Sequence, residues 1–145
     1  MTDGVDITLV NALIQAIKEE GATFEVVAPM IGRVETSDGS WIEAQQKIGR
    51  GPSVLYDAVA LLLSEDGAQL LAQESTARDF VADAFAHAKF IGYTAPVMTL
   101  FDKAGLRSSL DKACISIAQP TDAANFIKAC RALRFWDRES KVSMM

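Results

Sequence analysis

The sequence predicts an α/β domain built on a three-layer, doubly wound and mostly parallel sheet. Short apolar runs alternate with amphipathic helical segments, and the connections between them are short, which is typical of strand–helix–strand units. The run Ala58–Leu63, AVALLL, is apolar at every position, as expected of a strand buried on both faces. A length of 145 residues suits one such domain, so we assign residues 1–145 to a single unit.

Composition excludes several classes of function. A formal net charge of −5 would repel a phosphate backbone, so we expect no nucleic-acid partner. No apolar run approaches the roughly 20 residues needed to cross a bilayer, so we expect no membrane association. The two cysteines are too few for a disulfide scaffold, and a reduced, cytoplasmic setting is expected.

Local signals place the individual elements. Asp6 suits the N-cap of a first helix, and an Asp38-Gly39 pair within Glu35–Trp41 predicts a hairpin turn. The first helix is predicted to bury Val10, Leu13, Ile14 and Ile17 and to end at Gly21. The predicted strands are Thr23–Val27, Ala58–Leu63, Lys89–Tyr93 and Ala113–Ala118, with a helical turn at Val54–Tyr56 before the second of them. The other predicted helices are one from Ser64 to Gln73, a longer one capped by Ser75, one that begins at Pro96 and ends at Gly105, and a final one capped by Thr121.

The beginning of the chain departs from this fold class. Thr2–Asp6, TDGVD, has the character of a loop that leaves the carboxyl end of a strand and enters a helix, yet only Met1 precedes it. The first strand of a doubly wound sheet is normally central, and its loss leaves two rows of backbone groups unpaired. We therefore expect a sheet without its first strand, in a fragment or a reading frame with a late start. The alternatives are a sheet that closes over the gap and a strand supplied by another chain.

The segment Asp79–Phe101 holds the main candidate site. An amphipathic helix is followed by a short apolar strand, then Gly92-Tyr93-Thr94, then Pro96 at the start of another helix. Many hydrolases and amidotransferases place a nucleophile at such a strand-to-helix corner. This corner offers no thiol, and we expect Gly92 to adopt a positive φ at the bend. We therefore predict no catalytic residue and interpret Gly92 and Tyr93 as a vestigial nucleophile elbow, with Tyr93 packed at the surface rather than donating into a pocket.

Four motifs resemble the C-terminal domain of large-subunit haem catalases. They are TDGVD (Thr2–Asp6), GPSVLYDAVALLLSEDG (Gly51–Gly67), DFVADAFAHAKFIGY (Asp79–Tyr93) and the ending CRALRFWDRESKV (Cys130–Val142). The resemblance covers nearly the whole chain in order. It implies a flavodoxin-like domain related to the class I glutamine amidotransferase and PfpI superfamily. In that family the domain begins with an apolar strand just before the TDG-like turn, which agrees with the missing strand expected above.

The resemblance implies an accessory role. Hydrogen peroxide dismutation in that family belongs to the haem core, so haem is implied for the parent enzyme and neither cofactor nor metal for this chain. In PfpI-type relatives a cysteine occupies the corner and an acid from the first strand–helix loop tunes its pKa. By position, Gly92 replaces that cysteine, and Asp6 or Asp3 stands near the acid. The implied partners are the catalase core or other subunits, with a homo-oligomer as a further option.

The remaining reactive residue types favour structural roles. Cys114 lies in a predicted strand and Cys130 on the inward face of a helix, as inert buried thiols do. His87 ends a helix, where it would interact with the carboxyl end, and no cluster of metal ligands accompanies it. Acids in the first loop and the lack of a phosphate-binding glycine motif argue against a nucleotide or flavin site.

The chain ends in a segment of mixed charge around Phe135 and Trp136. Two interpretations stay open: a solvated helix end with one aromatic anchor, or a contact with another domain or subunit. The charged residues of this segment are Arg131, Arg134, Asp137, Arg138, Glu139 and Lys141.

The sequence therefore predicts a non-catalytic accessory domain of a large-subunit catalase, which contributes stability, assembly or chaperone-like protection in hydrogen peroxide defence. The alternative is a free-standing PfpI-like cysteine hydrolase or glyoxalase-type enzyme that has moved its nucleophile to Cys114. Rapid alkylation of one thiol would favour the enzyme.

Overall fold

The computed structural model describes residues 1–29, 32–48 and 56–133, together with Phe135 and Arg138. The helices are α1 (Ile7–Glu19), α2 (Glu65–Ala72), α3 (Ser75–Ala86), α4 (Met98–Lys103) and α5 (Pro120–Ala129). The strands are β1 (Val27–Ala28), β2 (Gly32–Glu35), β3 (Trp41–Ala44), β4 (Gln46–Lys47), β5 (Ala58–Leu61), β6 (Phe90–Tyr93) and β7 (Cys114–Ser116).

The described strands pair in three groups. β5, β6 and β7 form a parallel sheet in that order, with Ala60 opposite Gly92 and Gly92 opposite Ile115. β1 pairs in parallel with β4, and β2 pairs with β3 as an antiparallel hairpin. Within the described residues no strand joins β1 to β5, so the parallel sheet is interrupted there.

Two apolar cores cover the two faces of the sheet. β5 contributes to both, because Val59 and Leu61 belong to one core while Ala58 and Ala60 pack against the other. This explains why its sequence is apolar at every position. The first core includes Phe80 and Phe85 of α3 and Leu100 and Phe101 of α4; the second includes Val10 and Leu13 of α1 and Ala123 and Phe126 of α5.

Three local signals are confirmed. Asp6 is the N-cap of α1, and its Oδ1 accepts hydrogen bonds from the backbone N–H groups of Thr8 and Leu9 at 2.9 and 3.4 Å. Ser64 is the N-cap of α2. The hairpin turns at Asp38-Gly39, where Gly39 has a φ of 83° that favours glycine.

The predicted caps of two helices are wrong by one or two residues. Ser75 is the first residue of α3, and Glu74 holds the N-cap position. Thr121 lies inside α5, whose N-cap is Gln119. In both cases a hydroxyl side chain favours the N-cap position, but the direction from which the chain enters the helix decides which residue takes that position. This direction cannot be read from the neighbouring residues alone.

The predicted strand Thr23–Val27 is also shorter than expected. Only Val27–Ala28 pairs, with β4, because a strand exists only where a neighbour offers backbone partners. The predicted strands Ala58–Leu63 and Lys89–Tyr93 appear as the slightly shorter β5 and β6, and three of the six residues predicted as the strand Ala113–Ala118 form β7. Val54 and Leu55 of the turn predicted at Val54–Tyr56 lie outside the described residues. No helix in the described part of the chain is long and apolar enough to span a bilayer.

Candidate functional site at the strand–helix corner

The corner after β6 is fixed to the end of β5 by Thr94. This residue follows the last strand residue, Tyr93, and precedes a 3-10 turn at Ala95–Val97. Its Oγ1 accepts a hydrogen bond from Leu63 N and donates one to Leu63 O, both at 3.2 Å, and its side chain is buried. Thr94 therefore holds the bend against the residue pair that follows β5, through hydrogen bonds to the Leu63 backbone. The sequence interpretation included Thr94 in the corner but assigned it no role.

Gly92 lies inside β6 rather than at the bend, and the expectation of a positive φ is wrong. A Cβ atom at this position would lie 2.8 Å from Cδ1 of Ile117 and 3.1 Å from the ring of Phe126. Glycine is required here because two core side chains approach the backbone closely. The space that a reactive side chain would occupy is already filled.

Tyr93 packs at the corner through its ring. The ring meets Phe101 edge-to-face, with the two centroids 5.1 Å apart, and the side chain is half-buried. Among the described residues its hydroxyl has no hydrogen-bond partner. These contacts agree with the interpretation of Tyr93 as a packed residue.

The two acids expected near the corner both hold backbone groups. Asp6 Oδ1 caps α1, as described above. Asp3 Oδ1 accepts a hydrogen bond from the backbone N–H of Glu35 at 3.0 Å, which fixes the first loop against β2. These roles require carboxylate acceptors but no proton transfer.

The two thiols are half-buried, and their surroundings are those of unreactive cysteines. Burial raises the pKa of Cys114, and this effect outweighs the nearby positive charge of Arg138. Burial alone raises the pKa of Cys130 to about 12. His87 is exposed at the C-cap of α3, and no hydrogen bond joins it to either thiol in the described structure. The arrangement thus contains no activated Cys–His pair.

A buried ion pair near β7 was not foreseen. Arg138 Nε and Nη2 donate to the two carboxylate oxygens of Asp111 at 2.6 and 2.8 Å. Its Nη1 donates to the carbonyl oxygens of Phe85 and Lys89 at 3.2 and 2.8 Å, and the guanidinium lies 4.2 Å from the centre of the Phe85 ring. Burial raises the pKa of Asp111, but the hydrogen bonds and charge of Arg138 lower it by more.

This pair corrects one interpretation of the C-terminal segment. Arg138 is only 1% exposed, so it is not part of a solvated helix end but an anchor into its own domain. Arg131 does lie at the surface, where its Nε bonds to Glu20 Oε1 at 2.7 Å. The other residues of that prediction, Arg134, Trp136, Asp137, Glu139 and Lys141, lie outside the described residues.

A cavity of about 540 Å³ lies between β5 and β1. Its lining contains Met1, Val27 and the whole of β5, and it contains none of Gly92, Tyr93 or Thr94. The cavity is therefore separate from the corner and coincides with the interruption in the sheet.

The described residues do not fit haem or a metal ion. Haem iron in proteins is held by an axial ligand such as histidine or tyrosine. His87 and Tyr93 do not line the cavity, and the Tyr56 hydroxyl donates a hydrogen bond to Glu25 at 2.9 Å. No group of three or more histidine, cysteine or acidic residues in the described part of the chain is placed to hold a metal.

Comparison with known proteins shows which family the chain resembles in sequence. Residues 1–140 match a family described as the C-terminal domain found in long catalases. The chain is 46% identical over 143 residues to catalase C of Rhizobium meliloti, covering 99% of this chain and 20% of the relative. It thus spans about a fifth of the length of this curated relative.

Solved structures identify the fold. Drosophila melanogaster DJ-1beta superposes with a TM-score of 0.74 at 14% identity, over 99% of this chain and 92% of that one. Schizosaccharomyces pombe DJ-1 gives 0.71 at 16% identity, over 99% and 94%. The fold is therefore of the flavodoxin-like, class I glutamine amidotransferase-like type predicted from the sequence.

Proposed function

Because the chain belongs to the family of C-terminal domains of long catalases, we propose that it is a non-catalytic accessory domain that stabilises a catalase core in hydrogen peroxide defence. The haem core, when linked to it, would carry out the peroxide chemistry. The partner we propose is that core, within one polypeptide or between subunits of an oligomer.

The state of the strand–helix corner carries this proposal. A catalytic corner needs a side chain that is accessible and activated by a neighbouring group. Within β6, just before the corner, the Cβ position of Gly92 is filled by Ile117 and Phe126, and at the bend Thr94 is bonded to Leu63. The fold is retained, but core side chains fill the space that a reactive side chain would need. This is expected of a domain whose contribution is stability and surface contacts rather than catalysis.

The cysteine-enzyme alternative finds little support in the environment of Cys114. The thiol lies 3.7 Å from both Asp111 Oδ1 and Arg138 Nη2, but these two groups neutralise each other in their own ion pair. No histidine contacts it among the described residues. A thiol with a raised pKa is mostly protonated at neutral pH and is a poor nucleophile.

A domain exchange tests the proposal. Residues 1–140 would replace the matching C-terminal region of catalase C of Rhizobium meliloti, and the product would be compared with the intact enzyme and with a deletion lacking that region. The measurement is oxygen evolution from peroxide after timed heating. We expect the exchanged enzyme to inactivate more slowly than the deletion, with unchanged kcat/KM before heating.

Two controls sharpen the comparison. An exchanged enzyme carrying Arg138→Met should lose the protection, because its accessory domain is destabilised. Equal inactivation rates for the exchanged and deleted enzymes would refute the stabilising role. Oxygen evolution or thiol-dependent turnover by the isolated chain would refute the non-catalytic assignment.

A further inference from the structure

Phe135 and Arg138 attach the last described part of the chain to the base of the three-stranded sheet. Phe135 N donates to Ala88 O at 2.6 Å, and the Phe135 ring meets Phe90 edge-to-face with the centroids 6.1 Å apart. Arg138 forms its ion pair with Asp111, which precedes β7. Because β6 and β7 are parallel, these partners lie together at the amino-terminal edge of the sheet, opposite the strand–helix corner. We call the segment that carries these two anchors the strap.

The socket that receives Arg138 is built by residues outside the strap. Asp111 Oδ1 accepts a hydrogen bond from Ala113 N at 3.0 Å, which fixes the carboxylate at the turn before β7. The Phe85 carbonyl lies in the last turn of α3, where the carbonyl oxygens of a helix accept bonds from outside it. The Phe85 side chain belongs to the first core, so the socket is held in shape by the packing of α3 on the sheet.

The strap itself is attached by few contacts. It follows a sharp turn at Leu133, whose φ of 64° is rarely adopted by residues other than glycine and whose side chain is 55% exposed. Arg138 is the buried anchor of the strap, while Phe135 is only half-buried. A segment with so few buried apolar contacts belongs to the low-stability part of a fold, which opens before the core unfolds.

The seated strap covers one side of the Cys114 thiol. The Sγ atom lies 3.7 Å from Nη2 of Arg138, and Cys114 packs against the core that contains Phe85. The guanidinium lies 4.2 Å from the centre of the Phe85 ring, so it is wedged between this ring and the Asp111 carboxylate beside the thiol. Removal of the strap would therefore open this side of the thiol to solvent.

We propose that the strap opens as a unit while the sheet and its two cores stay folded, and that the seated strap shields the Cys114 thiol. The strap is thus a conformational device with two states. In the seated state Arg138 fills its socket and the thiol is protected from solutes. In the open state the socket and the thiol both face solvent, and the rest of the domain keeps its structure.

Cys130 distinguishes opening of the strap from unfolding of the whole domain. It is the C-cap of α5 and packs against the other core. In the described structure no hydrogen bond or ring contact joins it to Phe135 or Arg138. Unfolding of the domain exposes both thiols, whereas opening of the strap exposes Cys114 alone. The ratio of the two alkylation rates within one chain therefore reports which event takes place.

Alkylation of the intact chain with iodoacetamide, followed by peptide mass mapping, measures the two rates. We expect Arg138→Met to speed the reaction of Cys114 at least about tenfold and to leave Cys130 unchanged. Loss of the guanidinium charge alone would slow the reaction, because this charge lowers the pKa of Cys114, so a faster reaction reports access to the thiol. Arg107→Met, which removes an exposed ion pair, is the matched control and should change neither rate. Equal acceleration of both thiols, or none at Cys114, would overturn the proposal.

A milder variant keeps the test decisive if circular dichroism shows that Arg138→Met is unfolded. Phe135→Ala removes the ring contact with Phe90 and leaves the ion pair in place. We expect it to speed alkylation of Cys114 about two- to tenfold, with Cys130 unchanged. In this variant, urea below the unfolding transition should barely change the Cys114 rate, because an opening strap exposes little surface. A Cys114 rate that rises with urea as steeply as global unfolding does, or that equals the rate in the unaltered chain, would refute the strap.

Discussion

At the scale of single residues, Arg138 and Asp111 form the most consequential polar contact. Both side chains are shielded from water, with exposed fractions of 0% and 9%. Four hydrogen bonds from the guanidinium satisfy two carboxylate oxygens and two backbone carbonyls. Such a pair adds little net stability by itself, but losing one partner leaves a buried charge uncompensated.

We expect Arg138→Met to destabilise the domain by about 3–5 kcal/mol. The methionine fills part of the space but removes the positive charge that faces the Asp111 carboxylate and the four hydrogen bonds that the guanidinium donates. Urea unfolding measures the change. The matched control is Arg107→Met, whose ion pair with Asp102 is 60% exposed on both sides and should matter by less than about 1 kcal/mol. Similar losses of stability in the two variants would contradict a larger contribution from the buried pair than from the exposed one.

The same pair predicts a dependence on pH. The folded pKa of Asp111 is lowered, so the unfolded chain binds its proton more readily than the folded chain. Stability from this group is therefore complete above the ordinary aspartate pKa, about 4, and decreases as the pH falls further. Asp111→Asn should flatten this part of the acid-unfolding curve. An unchanged curve in the variant would show that other carboxylates are responsible.

Gly92 yields a second prediction at this scale. Gly92→Cys places a thiol at the position where the sequence interpretation expected one to be missing, yet the new Cβ would collide with Ile117. We expect a loss of stability of about 1–3 kcal/mol from overpacking, measured in urea, and no rapid reaction with a thiol reagent. Gly92→Ala combined with Ile117→Ala should cost less than the sum of the two single changes. Strict additivity would show that the two residues do not compete for space.

At the scale of elements, the first loop and α1 show what the acids near the corner do. Asp6 caps α1, and Asp3 holds Glu35 of β2. The sequence interpretation placed one of them beside the corner as an acid that tunes a thiol. The structure instead gives each a backbone partner, which is the role that short acidic side chains take at helix starts and turns.

We expect Asp6→Ala to lower stability by about 0.5–2 kcal/mol, and Asp6→Ser to retain most of it, because serine is also a good N-cap. Thermal unfolding of both variants measures the difference. Equal destabilisation by serine and alanine would mean that Asp6 contributes through its charge or a contact other than the cap.

The elements were predictable where a signal is local. The apolar run of β5, the turn at Asp38-Gly39 and the cap at Asp6 depend on neighbouring residues alone, and these predictions are confirmed. Thr23–Val27 failed because its pairing depends on β4, which lies far along the chain. The Arg138–Asp111 pair was missed for the same reason, since 27 residues separate its members.

At the scale of the whole molecule, the domain has the layers of a flavodoxin-like fold with a closed corner, and in its described residues the parallel sheet is interrupted between β1 and β5. The corner was located correctly from sequence as a strand followed by Pro96, although the role of Gly92 was not. Glycine is required there because the side chains of Ile117 and Phe126 approach its backbone closely. These two residues reach Gly92 through the packing of distant parts of the chain, so the sequence near Gly92 carries no signal of them. Within the described residues, no strand lies between β1 and β5, where a doubly wound sheet has its central strand.

The central claim is that this domain has no reactive group, and the alkylation rate of its two thiols tests that claim most directly. The native chain would be treated with iodoacetamide at neutral pH, with intact mass measuring the rate and Cys114→Ser and Cys130→Ser assigning each reaction. Because burial raises both pKa values, we predict that both thiols react more slowly than in the urea-unfolded chain, Cys130 by at least about a hundredfold. A native thiol that reacts as fast as, or faster than, its unfolded counterpart would contradict the account.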